Sequence, residues 1–266
     1  MQQILDRLRQ LLGASRHAER PASVGLKPYR QRFQRYLQGS GIEIGALHNP
    51  MPVDAARAKV RYVDRVPVDG QREHYPELAN YTLIEPDIVA DADKLPMLAD
   101  GSEDFVIANH LMEHLPDPIA AMKEWYRVLR PGGILFLGLP DKRLIFDKDR
   151  PRTTLAHLIA DHRDGGQATH HGHYEEYSRL VHKKTDEDLR RDVADLLARS
   201  YSIHFHVWIP EDIKEFLAYL RDDVGLQWKI LEHVDSTIDN TGSDEFIFVL
   251  QKPDERRGIL RGSRFC

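Results

Sequence analysis

A chain of 266 residues, 41% of them apolar, can bury one large core with insertions or two small ones, and no apolar run nears the roughly 18 residues a membrane-spanning helix needs. Its one cysteine, Cys266 at the end, excludes an internal disulfide and is poorly placed for thiol chemistry. The net charge of -5 hides an asymmetry, because residues 1–40 carry eight Arg/Lys against two Asp/Glu and leave 29 basic against 40 acidic residues elsewhere.

That basic arm has few interleaved aromatic residues, only Tyr29, Phe33 and Tyr36, which disfavours nucleic acid as a partner. Packing on the acidic body of the fold, or solvation, is expected instead. The start, Met1-Gln2-Gln3-Ile4-Leu5-Asp6-Arg7, has neither the basic opening nor the apolar stretch of a secretory signal, so the expected compartment is the cytoplasm.

In chain order, Ile4, Leu5, Leu8, Leu11 and Leu12 share a helical face that Gly13 ends, and 21–28 links to a second short helix at 29–37. Together they predict an amino-terminal helical cap over 1–39. From Ser40 the pattern changes to short β runs at 42–45, 60–64, 83–89, 105–109 and 134–139, separated by helical stretches. Such alternation predicts an α/β fold with a mostly parallel sheet. Between the fourth and fifth runs, Asp117 can cap and Pro118 can start a helix with Ile119, Met122, Trp125 and Leu129 on one face, which Pro131-Gly132-Gly133 stops.

After Pro140 the alternation lapses. Residues 141–200 are charged, rich in histidine and only helically periodic, as in Leu189, Val193, Leu196 and Leu197, which predicts a lid or insertion. A helix at 211–221 turns Ile213, Phe216, Leu217 and Leu220 inward. Two strands at 228–234 and 245–251 close the pattern; their link through 239–242 suggests a hairpin with the last strand reversed.

The first β run ends in Gly41-Ile42-Glu43-Ile44-Gly45-Ala46, and Asp64 closes the second. In an open α/β sheet a ligand sits beyond the carboxyl ends of the strands, where the first loop approaches it and an acid ending strand two accepts ribose hydroxyls. The loop Gly45-Ala46-Leu47-His48-Asn49-Pro50 lacks the second and third glycines of G-x-G-x-x-G, which argues against a pyrophosphate and for an adenosyl cofactor without one.

Four pieces then carry a resemblance: Glu43-Ile44-Gly45, Asp64, the run Asp91-Ala92-Asp93-Lys94-Leu95-Pro96, and 109–118, Asn109-His110-Leu111-Met112-Glu113-His114 onward, leading to Arg127-Val128-Leu129-Arg130-Pro131-Gly132-Gly133. With these the chain resembles class I S-adenosylmethionine-dependent methyltransferases, strongly over 40–140 and by topology over 200–252. The resemblance implies a seven-stranded Rossmann-like sheet ending in a reversed hairpin, occupying 40–252 with 141–200 as its insertion and 253–266 as a tail.

It further implies that Glu43 and Gly45 line the methionine part of S-adenosyl-L-methionine, with Ala46, His48 and Asn49 of the same loop as further candidate cofactor-binding residues. Asp64 would grip the ribose, Asp91 and Ala92 the adenine, and Asn109 would end strand four beneath the sulfonium. Leu47 and Asn49 stand where that family has glycine, and Asn tolerates the left-handed conformation such a loop needs.

Methyl transfer to a hydroxyl needs alignment and removal of a proton, for which histidine is suited. His110 and His114 follow strand four, and His206 alternates with Ile203, Phe205 and Val207 in a segment entering the cap helix; these three are the candidate catalytic residues. His110-Leu111-Met112-Glu113-His114 also matches H-x-x-E-H of inverted zinc peptidases, but Pro116 and Pro118 cut the helix that site requires. Ubiquinone-pathway O-methyltransferases carry a similar E-x-x-E-H run tied to divalent metal, which leaves open either a metal held by His110, Glu113 and His114 or plain loop-fixing hydrogen bonds.

Eight of the 14 histidines lie between 157 and 206, with Tyr174, Tyr177 and Trp208 available to stack on a sugar or ring. The expected function is O-methylation of a small polar acceptor such as a sugar, glycan or natural product, in line with a likeness to bacterial methyltransferases of glycan biosynthesis. N-methylation, a nicotinamide oxidoreductase and an inactive binding module are the alternatives, and pairing of two subunits through the amino-terminal helices stays open.

Overall fold

The computed structural model describes residues 28–75, 78–239 and 241–254. The helix expected at 4–12, and the tail from residue 255, lie outside the described residues. Seven strands, β1 (Gly39–Ile44), β2 (Ala58–Asp64), β3 (Ile88–Val89), β4 (Glu103–Asn109), β5 (Leu129–Pro140), β6 (Lys229–Asp235) and β7 (Glu245–Gln251), form one sheet in the order β3-β2-β1-β4-β5-β7-β6. β1 to β5 pair in parallel, and β7 runs antiparallel between β5 and β6. The parallel sheet and reversed final strand expected from the sequence are both present.

The near-continuous apolar runs of β1, β4 and β5 follow from burial on both faces. Because side chains alternate along a strand, Ile42, Ile44, Val106, Ala108, Leu135 and Leu137 join one core with Trp125 and Phe216. Phe105, Ile107, Ile134 and Phe136 join a second on the opposite face, with Phe33 and Leu37.

Among the described residues, six α-helices accompany the sheet: α1 (Val68–His74), α2 (Pro118–Val128), α3 (Leu155–Asp164), α4 (His170–Leu180), α5 (Asp186–Ala198) and α6 (Pro210–Tyr219). α2 starts as its sequence dictates: Asp117 Oδ1 accepts from the Ala120 amide at 2.9 Å and Pro118 opens the first turn. Its buried face carries Ile119, Met122 and Trp125, and the Trp125 indole donates to the Ala92 carbonyl at 2.9 Å. Truncating Trp125 to Ala would cost about 3–5 kcal/mol.

Two expectations need correction. The run at 83–89 forms a strand only at Ile88–Val89, because Pro86 has no amide to donate and Asp87 takes over the ladder, its carboxylate accepting from the Tyr62 amide at 2.9 Å and its own amide donating to the Tyr62 carbonyl at 2.8 Å. In the first loop the left-handed residue is Leu47, with φ of 48°, beside Gly45 at 70°; Asn49 is not among the residues with positive φ.

The second amino-terminal helix is a 3₁₀ segment, Pro28–Tyr36, lying on the sheet face of the second core. Its basic residues do meet the acidic body: Arg30 pairs with buried Glu245, and Arg32 and Arg35 with Glu232. Residues 141–208 leave the sheet and come back to their starting point, since Asp141 and Trp208 form an isolated parallel bridge and the Lys142 amide donates to the Trp208 carbonyl at 3.1 Å. This excursion is helical, carries α3, α4 and α5, and has its own small core of Tyr174, Tyr177, Val193, Leu196, Ile203 and Phe205. Among the described residues no helix is long and apolar enough to cross a membrane.

Candidate active site

A cavity of about 770 Å³ opens beyond the carboxyl ends of β1 to β4 and is closed on its far side by the excursion. Its volume falls in the range of small-molecule sites. Gly45, Asp64, Asp91, Ala92, His110 and His114 all line it. The sheet places the first four: β1 and β2 are in register through Ile44 and Val63, and β2 and β3 through Asp64 and Val89, so the loops that follow emerge side by side.

Gly45 holds a φ of 70° against Leu111, whose side chain a Cβ at that position would meet at 3.4 Å. Burial raises the Asp64 pKa, only partly offset by the Val66 and Arg65 amides. A carboxylate in that condition gains from hydroxyl donors supplied by a ligand. The Ala92 position is fixed from below by the Trp125 indole. Two carboxylates at adjacent strand ends, with Gly45 presenting no side chain where β1 ends, fit an adenosyl group carrying a ribose diol and an exocyclic amine.

Other expected cofactor residues lie off the cavity wall. Glu43 is buried beneath the first loop, where its Oε1 accepts from the Met51 amide at 2.7 Å and so closes that loop. The Asn49 amide donates to the Ala46 carbonyl at 2.9 Å, making Ala46 and Asn49 the ends of a turn. His48 packs its ring 4.6 Å from that of Tyr81, and burial lowers its pKa. Asn109 ends β4 with neither side-chain polar atom hydrogen-bonded, its Oδ1 close over Gly138.

His110 takes an unusual backbone conformation for a non-glycine residue, φ 47°. Its Nε2 lies 2.7 Å from Glu245 Oε2 on β7. Glu245 is fully buried and also receives Arg30 Nε at 2.9 Å, the second Arg30 nitrogen and the Tyr29 hydroxyl. Burial alone would raise its pKa, but hydrogen bonds from His110 and Arg30 prevail and hold it well below the usual carboxylate range. The ring is therefore fixed with Nε2 toward a carboxylate. Its Nδ1 is 3.8 Å from Glu113 Oε1, beyond hydrogen-bond reach.

His114 Nδ1 lies 2.9 Å from the Ile203 carbonyl, which selects the tautomer with the proton on Nδ1, and burial pushes its pKa down to about 3. Such an imidazole is neutral and a weak base. Glu113 is fully buried with neither carboxylate oxygen hydrogen-bonded, and desolvation raises its pKa. The ligand atoms of Glu113, His114 and His204 lie within 4.8 Å of one another. The set thus takes in His204, which hydrogen-bonds Asp147 at 2.6 Å, in place of the His110 expected from the H-x-x-E-H spacing.

His206 does not reach the cavity. It is fully buried behind Phe205, its ring stacked 5.5 Å from Trp208, within a group of histidines around Asp161. The wall it was expected to supply comes instead from Gln167, His170, Tyr174, Tyr201, Ser202 and Phe205. Tyr174 stood out as an aromatic residue available for stacking; Tyr201 and Ser202 gave no sequence signal, because they lie in an irregular segment without periodicity.

Residues 41–137 match the family model described as a methyltransferase domain. An uncharacterized 37.1 kDa protein of a Streptomyces fradiae transposon is 45% identical over 53 residues, a stretch that spans 20% of this chain and 15% of that protein. Among solved structures, the CurJ carbon methyltransferase is similar at 15% identity and a TM-score of 0.43, covering 82% of this chain and 49% of that one. A SAM-dependent methyltransferase from Aquifex aeolicus is similar at 14% identity and 0.43, covering 85% and 89%. The arsenic(III) S-adenosylmethionine methyltransferase of Chlamydomonas reinhardtii is similar at 15% and 0.39, covering 92% and 69%. The family match lies on β1 to β5, and the sheet closes in the order β5-β7-β6 with β7 reversed, which is the Rossmann-like topology expected from the resemblance to class I S-adenosylmethionine-dependent methyltransferases.

Proposed function

We propose that the protein O-methylates a small polar acceptor, with His110 as the general base. The observation that carries this reading is the 2.7 Å contact between His110 Nε2 and buried Glu245 on the cavity wall. A base whose second nitrogen is held by a carboxylate is the arrangement that activates a hydroxyl, since the carboxylate fixes the ring and stabilises the imidazolium that forms. His114, with a pKa near 3, is too weak a base for that task and serves better to shape the pocket through Ile203 and Ser202.

Gly45, Asp64, Asp91 and Ala92 hold S-adenosyl-L-methionine, whose sulfonium supplies an electrophilic methyl group when bound. Asp64 accepts the ribose hydroxyls and Asp91 the adenine amine. His110 removes the acceptor proton at Nδ1 while Glu245 keeps Nε2 occupied. Tyr201 and Ser202 offer hydroxyls to the acceptor, while the Tyr174 hydroxyl donates to the Tyr201 carbonyl and leaves only its ring to the cavity, a set that favours a hydroxylated, sugar-like or ring compound of small-molecule size.

The test is a transfer assay with a labelled methyl donor against sugar nucleotides, glycans and phenols, with products analysed for the methylated atom. Methyl ethers as products, lost in His110→Gln while S-adenosylhomocysteine still binds by titration calorimetry, support the reading. Products methylated on nitrogen, or unimpaired turnover in His110→Gln, overturn it.

A further inference from the structure

The helical excursion contains a second convergent group of side chains that methyl transfer does not use. His157 and Asp161 sit one turn apart on α3, His173 lies near the start of α4, and His206 belongs to the irregular segment that returns to Trp208. One ligand atom from each lies within 4.8 Å of the other three. All three imidazoles turn Nε2 inward: His157 Nε2 is 3.2 Å from Asp161 Oδ2 and 3.3 Å from His173 Nε2, while His206 Nε2 and His173 Nε2 are 3.7 and 3.9 Å from that same oxygen. Four ligands in a tetrahedron with bonds of about 2.0–2.1 Å stand roughly 3.3 Å apart.

Hydrogen bonding accounts for only part of this group. Asp161 Oδ1 accepts from Thr169 Oγ1 at 2.6 Å, but Oδ2, facing the three rings, makes no bond of acceptable geometry. Asp161 and His206 are fully buried, and neither ring nitrogen of His206 is hydrogen-bonded, although the Pro116 carbonyl is close enough to oppose part of the fall in its pKa. One carboxylate can balance one imidazolium. His157 and His173 can share one proton between their Nε2 atoms at 3.3 Å, but His206 is left fully buried with neither ring nitrogen bonded, which native interiors avoid.

We infer that His157, Asp161, His173 and His206 form a closed tetrahedral site for a divalent cation of the zinc type. Imidazole with a single carboxylate suits zinc, whereas magnesium and calcium seek oxygen donors. Four protein ligands leave no open position, so the site is structural. The Thr169 hydroxyl supplies the outer contact that orients Asp161. The cation ties α3, α4 and the 203–208 segment together, and the residues beside its ligands, Gly165, Gln167, His170, Tyr174 and Phe205, form the excursion's wall of the cavity. It holds the acceptor wall without touching the acceptor.

The experiment is metal analysis of the full chain, purified without chelator and dialysed against one equivalent of Zn²⁺, with parallel Co²⁺ substitution read by visible absorption. The expected result is a tightly held equivalent of zinc, with intense d–d bands of tetrahedral Co²⁺. His157→Ala and His173→Ala lose that equivalent, their Zn²⁺ affinity falling more than about 100-fold. Glu113→Gln, which alters the other His/Glu group, retains it. S-adenosylhomocysteine binding by each variant shows that the sheet is folded. Zinc absent from folded wild-type protein, or zinc that persists in both histidine variants and leaves in Glu113→Gln, overturns the assignment.

Discussion

Glu245 on β7 and His110 after β4 are joined at 2.7 Å although 135 positions separate them in the chain. This contact ties the reversed strand to a residue of the cavity wall, and Arg30 bonds both oxygens of the same carboxylate.

Because hydrogen bonds from His110 and Arg30 overcome the effect of burial, Glu245 titrates below its unfolded-state value. A depressed carboxylate contributes stability that is complete above the unfolded pKa of about 4.3 and is lost as pH falls toward the folded one. Urea unfolding at pH 7 and pH 3.5 should therefore show a larger acid loss for wild type than for Glu245→Gln. At pH 7 the variant should be weaker by about 3–5 kcal/mol, since it strands the buried Arg30. Equal acid sensitivity of the two proteins would remove Glu245 from this role.

Asp64→Ala should weaken S-adenosylhomocysteine binding about tenfold or more, as expected for loss of hydrogen bonds to a charged group worth about 1.5–3 kcal/mol. Titration calorimetry reads this directly. Glu43→Gln should act differently, loosening the first loop through its bond to the Met51 amide, and its effect should appear in thermal stability as well as in affinity.

His110→Gln should lower kcat by about 10²–10⁴-fold, the usual worth of a positioned base, with little change in cofactor affinity. His114→Ala should cost much less in kcat and should raise KM, because its contacts run to Ile203 and Ser202 on the acceptor wall. A reversed ranking of the two variants would move the base to His114.

Gly41→Ala should damage the sheet itself. A Cβ at Gly41 would lie 2.3 Å from the Phe105 carbonyl oxygen and 2.4 Å from the Phe105 ring, at the first pair of the β1–β4 ladder. Overpacking against backbone costs about 1–3 kcal/mol and occasionally more, so the thermal midpoint should drop by several degrees or the protein should fail to accumulate.

What the sequence reveals about this molecule follows from distance along the chain. The places of Gly45, Asp64, Asp91 and Ala92 on the cavity wall are legible because they stand at or just past the ends of β1, β2 and β3, and parallel pairing gathers such ends without further information. The contacts of Glu245 are not legible, since nothing local marks a strand glutamate as the partner of a loop histidine. Position 47 misleads because side-chain propensity favours Asn49 for the left-handed turn, while the Leu47 carbonyl, bonded to the Ile84 amide at 2.7 Å, sets the actual path. His206 misleads for a related reason: alternation shows that its segment is ordered, but not that its ring faces Asp161 on α3 rather than the cavity.

The excursion between Asp141 and Trp208 leaves and rejoins the sheet at a single bridge, and every residue it gives to the cavity lies within 164–205. The far wall of the cavity is thereby encoded in one contiguous stretch, physically separable from the strand ends of the first half. Since its two ends are neighbours in space, that stretch can be replaced at two chain positions without breaking the β1–β5 pairings, remaking one wall of the pocket and keeping the other.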